Sequence, residues 1–137
     1  MRTTRMILTL LALLAAGVLS TAPAAFAGNI QVSGKDGIGN YLADEKGMAL
    51  YIFKKDTAGK SVCGAANGCI EKWPVFYVDK ADIVSGISPG AFGTITRDDG
   101  KKQTTLRGMP LYYFIKDKEP GDTNGQGVNN VWYLAAP

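Results

Sequence analysis

Two aspartates, each five residues after a tyrosine, are the groups whose spacing first suggests chemistry in this chain. Tyr51, Phe53 and Asp56 stand in GMALYIFKKD at residues 47–56. Tyr112, Phe114 and Asp117 stand in GMPLYYFIKD at residues 108–117, and seven of the ten positions are identical. Two carboxylates facing each other across a cleft can hydrolyse a glycoside. Asp56 and Asp117 would form such a pair only if the fold brought them together. An aspartate just past a strand can instead accept backbone N–H bonds and fix a turn. The turn reading needs no cleft and is the one adopted for both residues.

Other catalytic sets are missing. The chain has no His, which removes the commonest general base and the commonest metal ligand. No Ser lies in a G-x-S-x-G elbow. Asp98-Asp99-Gly100 reads as a turn rather than as paired acids. AGKS at 58–61 lacks the Gly that a phosphate loop needs five residues earlier, where Lys54 stands. GQGVNN at 125–130 is followed by no helical pattern and is not a dinucleotide fingerprint. Asp117, Glu119, Asp122 and Asn124 could offer oxygens to Ca²⁺, but their spacing misses the EF-hand pattern. A hydrated loop is the default for 117–130. The expectation is a protein that is not an enzyme and has no cofactor.

Cys63 and Cys69 are the only cysteines. A metal site wants more ligands than these two thiolates, and there is no His to complete one. A redox-active pair usually has two residues between its thiols, where CGAANGC has five. A structural disulfide remains, worth roughly 2 kcal/mol for so short a loop. It requires an oxidising compartment, and the N-terminus points to one. Arg2 and Arg5 precede an unbroken apolar or small run, Ile7 to Leu19, and the small-residue site Ala25-Phe26-Ala27 follows. This is a secretory signal peptide over residues 1–27. The run falls short of the roughly 20 residues of a spanning helix. No Cys near the cut invites a lipid, and Arg2 and Arg5 are not adjacent as a twin-arginine signal would have them. No transmembrane segment is expected in the mature chain.

The mature chain, 28–137, has 110 residues, one domain's worth. Without Arg2 and Arg5 it carries 13 basic and 12 acidic residues, so the formal charge falls from +3 to +1. That balance gives no nucleic acid or anionic membrane a reason to bind.

The elements that must position these residues are strands. Helical periodicity is nearly absent, and Tyr, Phe, Trp, Val, Ile and Thr crowd short stretches punctuated by Gly, Asp and Asn. Strands are expected at 30–32, 40–43, 49–53, 75–78, 93–97, 103–106, 111–115 and 131–134. Asp44-Glu45-Lys46-Gly47 and Asp98-Asp99-Gly100 are hairpin turns. The one plausible helical turn is Lys80–Ser85, closed by Ser88-Pro89-Gly90. Within the doubled segment, alternation puts Tyr51 with Phe53 and Tyr112 with Phe114 on one face. Leu50 with Ile52 and Leu111 with Tyr113 take the other. Both faces are apolar, so both strands need cover on two sides. Each copy then runs through a loop and returns as a strand led by Trp73 or Trp132. The expected fold is all-β, a compact sandwich or barrel-like domain. Its two repeats, about 38–78 and 93–135, are related by a pseudo-twofold axis.

At these residues the chain resembles a bacterial secreted-repeat family, the predicted lipoproteins with a Tyr-x-(Phe/Trp/Tyr)-x-x-Asp motif. Tyr51, Phe53 and Asp56 match it, as do Tyr112, Phe114 and Asp117. The likeness extends through Cys63, Cys69 and Trp73-Pro74, through 94–100, through Glu119-Pro120-Gly121-Asp122, and to Val131-Trp132. It covers nearly the whole mature chain. The resemblance implies export and paired repeats, and no established activity. The chain departs from the lipoprotein description because it has no Cys to lipidate at the cut, so a soluble periplasmic or secreted protein is expected. The leading functional reading is a non-catalytic envelope module for binding or structure, with an envelope protein or a glycan as its partner. The alternative is an accessory to envelope redox or metal chemistry, built on Tyr and Trp clusters or loop carboxylates.

Overall fold

The computed structural model describes residues 27–83 and 86–137, together with Gly17. Apart from Gly17 and Ala27, the expected leader lies outside the described residues. Among these residues eight strands and one short α-helix follow in chain order. They are β1 (Ala27–Lys35), β2 (Gly39–Ala43), β3 (Tyr51–Phe53), α1 (Cys69–Lys72), β4 (Lys80–Ile83), β5 (Phe92–Thr96), β6 (Lys102–Leu106), β7 (Met109–Pro110) and β8 (Trp132–Leu134). They form three small sheets, ordered β2-β1-β4, β3-β8 and β5-β6-β7. All pairs are antiparallel except β1 with β4, which run parallel from Ala27↔Lys80 to Ile30↔Ile83. The fold is all-β in two repeats, with almost no helix.

Turn chemistry sets the hairpins. Asp44 takes N–H bonds on Oδ1 from Lys46 and Met48, each at 2.9 Å. Gly47 closes the turn at φ 84°, a conformation that a side chain would strain. Gly100 does the same at φ 82° between β5 and β6. There the Asp99 carboxylate accepts from the Lys101 N–H at 3.0 Å.

Three expected elements differ. The stretch expected to make a helical turn, Lys80–Ser85, is strand β4 as far as Ile83, and Ser85 lies outside the described residues. β1 supplies a ready edge there, and pairing with it satisfies backbone groups that a lone turn would leave to water. The expected strands 75–78 and 111–115 shrink to isolated bridges. Val75 and Tyr51 both bridge to Tyr112. The helix α1 starts at the second cysteine of the disulfide, and its four residues are too few for the sequence pattern to show a period.

The two repeats are built into each other. The Tyr51 N–H donates to the Tyr112 carbonyl at 2.8 Å, and the Tyr112 N–H returns the bond to Tyr51 at 3.0 Å. On one side Leu42 donates to Ala135, Leu50 to Leu42, and Ala135 to Leu50. On the other Thr104 donates to Phe76, Leu111 to Thr104, and Phe76 to Leu111. This is the same ring of bonds written twice. The return strands are exchanged: β3 of the first repeat pairs with β8 of the second, and Tyr112 of the second bridges to Val75 of the first.

The alternation along the doubled segment creates two cores. Tyr51, Tyr112 and Phe114 join Tyr41, Trp73 and Trp132 in an aromatic cluster, against which Phe53 packs. Leu50 and Leu111 turn the other way, into a cluster with Ile30, Leu42, Phe76, Leu106 and Ala135. Ile52 and Tyr113 pack against that second cluster. Leu50 and Leu111 are fully buried, and each contributes about 1.5–3 kcal/mol by leaving water.

Candidate functional site

The residues singled out by spacing meet in the aromatic cluster. Four rings stack face to face in the order Phe53, Trp132, Trp73, Phe114. Their centroids are separated by 4.2, 3.8 and 4.1 Å. The two indoles at the centre are nearly coplanar in orientation, at 4°. Tyr51 meets Trp73 edge-on at 5.5 Å, and Tyr112 meets Trp132 edge-on at 5.1 Å. Such pairs add about 0.5–1.5 kcal/mol each beyond the area they bury.

Each tyrosine reaches the aspartate of the other motif. The Tyr51 hydroxyl donates to Asp117 Oδ2 at 2.5 Å, and the Tyr112 hydroxyl donates to Asp56 Oδ2 at 2.6 Å. The second oxygen of each carboxylate holds the loop that follows it. Asp56 Oδ1 accepts the Val62 N–H at 2.7 Å, and Asp117 Oδ1 accepts the Asn124 N–H at 2.9 Å. The loop N–H groups lie six and seven residues on, beyond the bend itself. Alternation and spacing gave no sign of the crossed pairing, because it joins residues 56 and 66 positions apart.

Each tyrosine oxygen has a second partner. Gly125 N–H donates to Tyr51 Oη at 3.2 Å, and Ser61 Oγ lies 2.6 Å from Tyr112 Oη. Gly125 must be glycine for another reason. A Cβ there would stand 2.6 Å from the Tyr51 ring and 2.9 Å from the Trp73 ring. Cys63 follows Val62 as Gly125 follows Asn124, and it is bonded to Cys69 with a Cα separation of 5.1 Å. The expected disulfide is present and belongs to the first repeat alone.

Two cations reach across in the same crossed manner. Arg97, at the end of the second repeat's first hairpin strand, is buried. It donates to Ser61 Oγ and Gln103 Oε1 at 2.7 Å, and to the Cys63 carbonyl at 2.5 Å. A fourth bond reaches Asp99 at 3.2 Å. The corresponding Lys35 of the first repeat donates to the Gly121 carbonyl and to Thr123 Oγ1. Sequence reasoning missed Arg97. Its signal was that the mature chain has only two arginines among its 13 cations, and only arginine offers a fork that serves four acceptors.

Burial, then the bond to Asp117, raises the Tyr51 phenol far above its usual range. Burial and the Asp56 bond do the same for Tyr112. Tyr113, half-buried and bonded to Asp44 Oδ2 at 2.8 Å, is raised likewise, by loss of water first and then by that bond. Asp56 is raised by burial, against the opposing pull of Tyr112, Val62 N–H and Arg97. Asp122, in the loop weighed for Ca²⁺, accepts the N–H groups of Lys118 and Glu119, and these hold its carboxyl below the usual range. Among the described residues no three His, Cys, Asp or Glu side chains stand together as a metal site. No buried side-chain polar atom among them lacks a partner.

The surface carries a groove of about 400 Å³ lined by Ile70, Glu71, Pro74, Val75, Tyr77, Lys101 and Lys102. Tyr77 is exposed there. None of the motif residues lines it.

The chain matches the model of a family described as a secreted repeat of unknown function, at residues 32–77 and again at 93–136, and it belongs to that family. Comparison with curated proteins and with solved structures returns no match. No helix among the described residues is long and apolar enough to cross a membrane.

Proposed function

We infer that this protein is an exported, non-catalytic module of the cell envelope, periplasmic or secreted, that serves as a binding or structural component. One observation carries the reading. Both motif carboxylates are buried, and each spends one oxygen on a tyrosine of the other repeat and the other on a loop N–H. Groups so engaged hold a fold together and leave no acid open to a substrate. The family description as a secreted repeat supports export. The surface that fits a partner is the groove beside Tyr77, where an exposed ring stands near Lys101 and Lys102. A ring beside Lys101 and Lys102, with Glu71 on the same lining, suits a sugar bearing hydroxyl and carboxylate groups, with the ring stacking, the ammonium groups pairing and the Glu71 carboxylate accepting from a hydroxyl.

The test mixes the purified mature protein with insoluble bacterial cell-wall glycan and measures what sediments. Retention that falls in Tyr77→Ala, with an unchanged melting temperature, supports the reading. Equal retention of that variant removes the groove from it, and failure of the wild type to sediment removes the glycan. Asp56→Asn and Asp117→Asn address the structural role. Lower melting temperature is expected of both, whereas unchanged stability would count against it.

A further inference from the structure

Two phenols, two indoles and two carboxylates meet in one buried cluster, and together they are a chemically complete set. Removing an electron from a phenol makes its O–H strongly acidic. The step is easy only where a base already waits for the proton. Asp56 Oδ2 waits 2.6 Å from the Tyr112 oxygen, and Asp117 Oδ2 waits 2.5 Å from that of Tyr51. Both bonds are the short, charge-assisted kind. The phenols lie edge-on to indoles that are themselves in face contact at 3.8 Å. Trp73 and Trp132 keep 4% and 3% of their surface, while Tyr51 and Tyr112 keep none. All four are buried, so an oxidant outside takes its electron across a short gap through the indoles, the less deeply buried of the four, and the phenols lie one contact deeper.

We propose that this cluster is a reversible one-electron store, charged by a high-potential metal-complex oxidant and emptied by an enediol or thiol reductant. The electron leaves through the Trp73–Trp132 pair to the oxidant, whose metal is reduced by one unit. Tyr112 becomes a neutral phenoxyl radical as its proton passes to Asp56 Oδ2. The carboxylic acid so formed donates back to the phenoxyl oxygen, and Ser61 Oγ donates to it as well. The reductant returns one electron, the proton returns to the phenol, and atoms and charge balance. Tyr51 and Asp117 form the second station by the same steps. Burial is what makes the store last, since phenoxyl radicals vanish by coupling in contact. Tyr77 is the useful contrast: it too donates to a carboxylate, Asp79 at 3.0 Å, yet it is 38% exposed and outside the stack. This activity goes beyond the binding reading and does not depend on it.

The full mature protein is oxidised with photogenerated tris(bipyridine)ruthenium(III), and radicals are followed by electron paramagnetic resonance and transient absorption. The expected signal is a neutral tyrosyl radical that outlives the one formed on free N-acetyltyrosinamide. It forms more slowly in heavy water, disappears with ascorbate, and leaves no covalent dimer. Asp56→Asn keeps an acceptor for the hydrogen bond but none for the proton. It should remove about half of the tyrosyl yield, leaving the Tyr51 station. A full yield in Asp56→Asn, or dityrosine-linked dimers in place of a lasting radical, would each overturn the proposal. The wild-type lifetime, isotope effect and dimer assay decide the matter even if Asp56→Asn fails to fold.

Discussion

Tyr51 and Tyr112 combine a fully buried ring with a hydroxyl that must find an acceptor, and each finds it in the opposite repeat. Their titration follows. A phenol whose folded value lies above its unfolded value of about 10 stabilises fully below that pH and loses its contribution as pH rises toward the folded value. Tyr51, Tyr112 and Tyr113 are all of this kind. Three of the six tyrosines should therefore stay silent in phenolate absorbance until the chain unfolds in alkali. Above about pH 10 each should withdraw about 1.4 kcal/mol of stability per pH unit. Asp56 has the same sign in acid. Its carboxyl is raised by burial, so its contribution is fullest below the ordinary value of about 4 and falls as pH climbs through the folded value. The gap in melting temperature between wild type and Asp56→Asn should thus be wider at pH 3 than at pH 7. A gap that widens toward neutrality would contradict the burial cause. Gly125→Ala is a separate test, of packing. Its backbone φ is ordinary, so the cost comes from a methyl pressed against Tyr51 and Trp73, about 1–3 kcal/mol by denaturant unfolding. Alternation made the shared faces of Tyr51 with Phe53 and of Tyr112 with Phe114 legible in sequence. The glycine's constraint was not legible, because it comes from rings distant in the chain.

Strands and turns were readable where the signal is local. The β5–β6 hairpin, and the Asp-and-Gly turns at 44–47 and 98–100, carry their own chemistry. Elements that depend on a partner were not. Lys80–Ile83 is a strand only because β1 lies beside it. The expected strands at 75–78 and 111–115 are reduced to isolated bridges, with Tyr112 bridging both Tyr51 and Val75. The helix α1 is likewise held from outside its own sequence, by the bond from Cys69 to Cys63 at its first residue. The pairing also fixes Cys63, whose carbonyl accepts from Arg97. Replacing both cysteines by alanine should cost roughly 2 kcal/mol through the freed loop. It should also loosen the segment from Ser61 to Lys72, seen as faster amide exchange there than in the second repeat's loop at 118–130. Equal exchange in both loops would mean that the disulfide is incidental to order in the first.

The whole molecule depends on exchange between its repeats. β3 pairs with β8, Tyr112 with Val75, Leu42 with Ala135, Thr104 with Phe76, and Arg97 reaches Ser61 and Cys63. Each of these contacts joins one repeat to the other, and both cores draw residues from the two. A lone repeat would expose both faces of its motif segment, which small domains cannot tolerate. The covalent link between repeats contributes far less than the surfaces they share, because loop closure grows only slowly with length. Gly86 and Ser88 are exposed on that link. A protease site placed after Gly86 and then cut should leave two fragments that elute together, keep the tyrosine and tryptophan signals of the intact chain, and unfold in one transition. Separated in denaturant, each fragment alone should remain unfolded, and mixing should restore the fold in proportion to concentration. A fragment that folds by itself would show that its core is its own, and the crossed contacts would then be a seam between two finished units rather than the source of their structure.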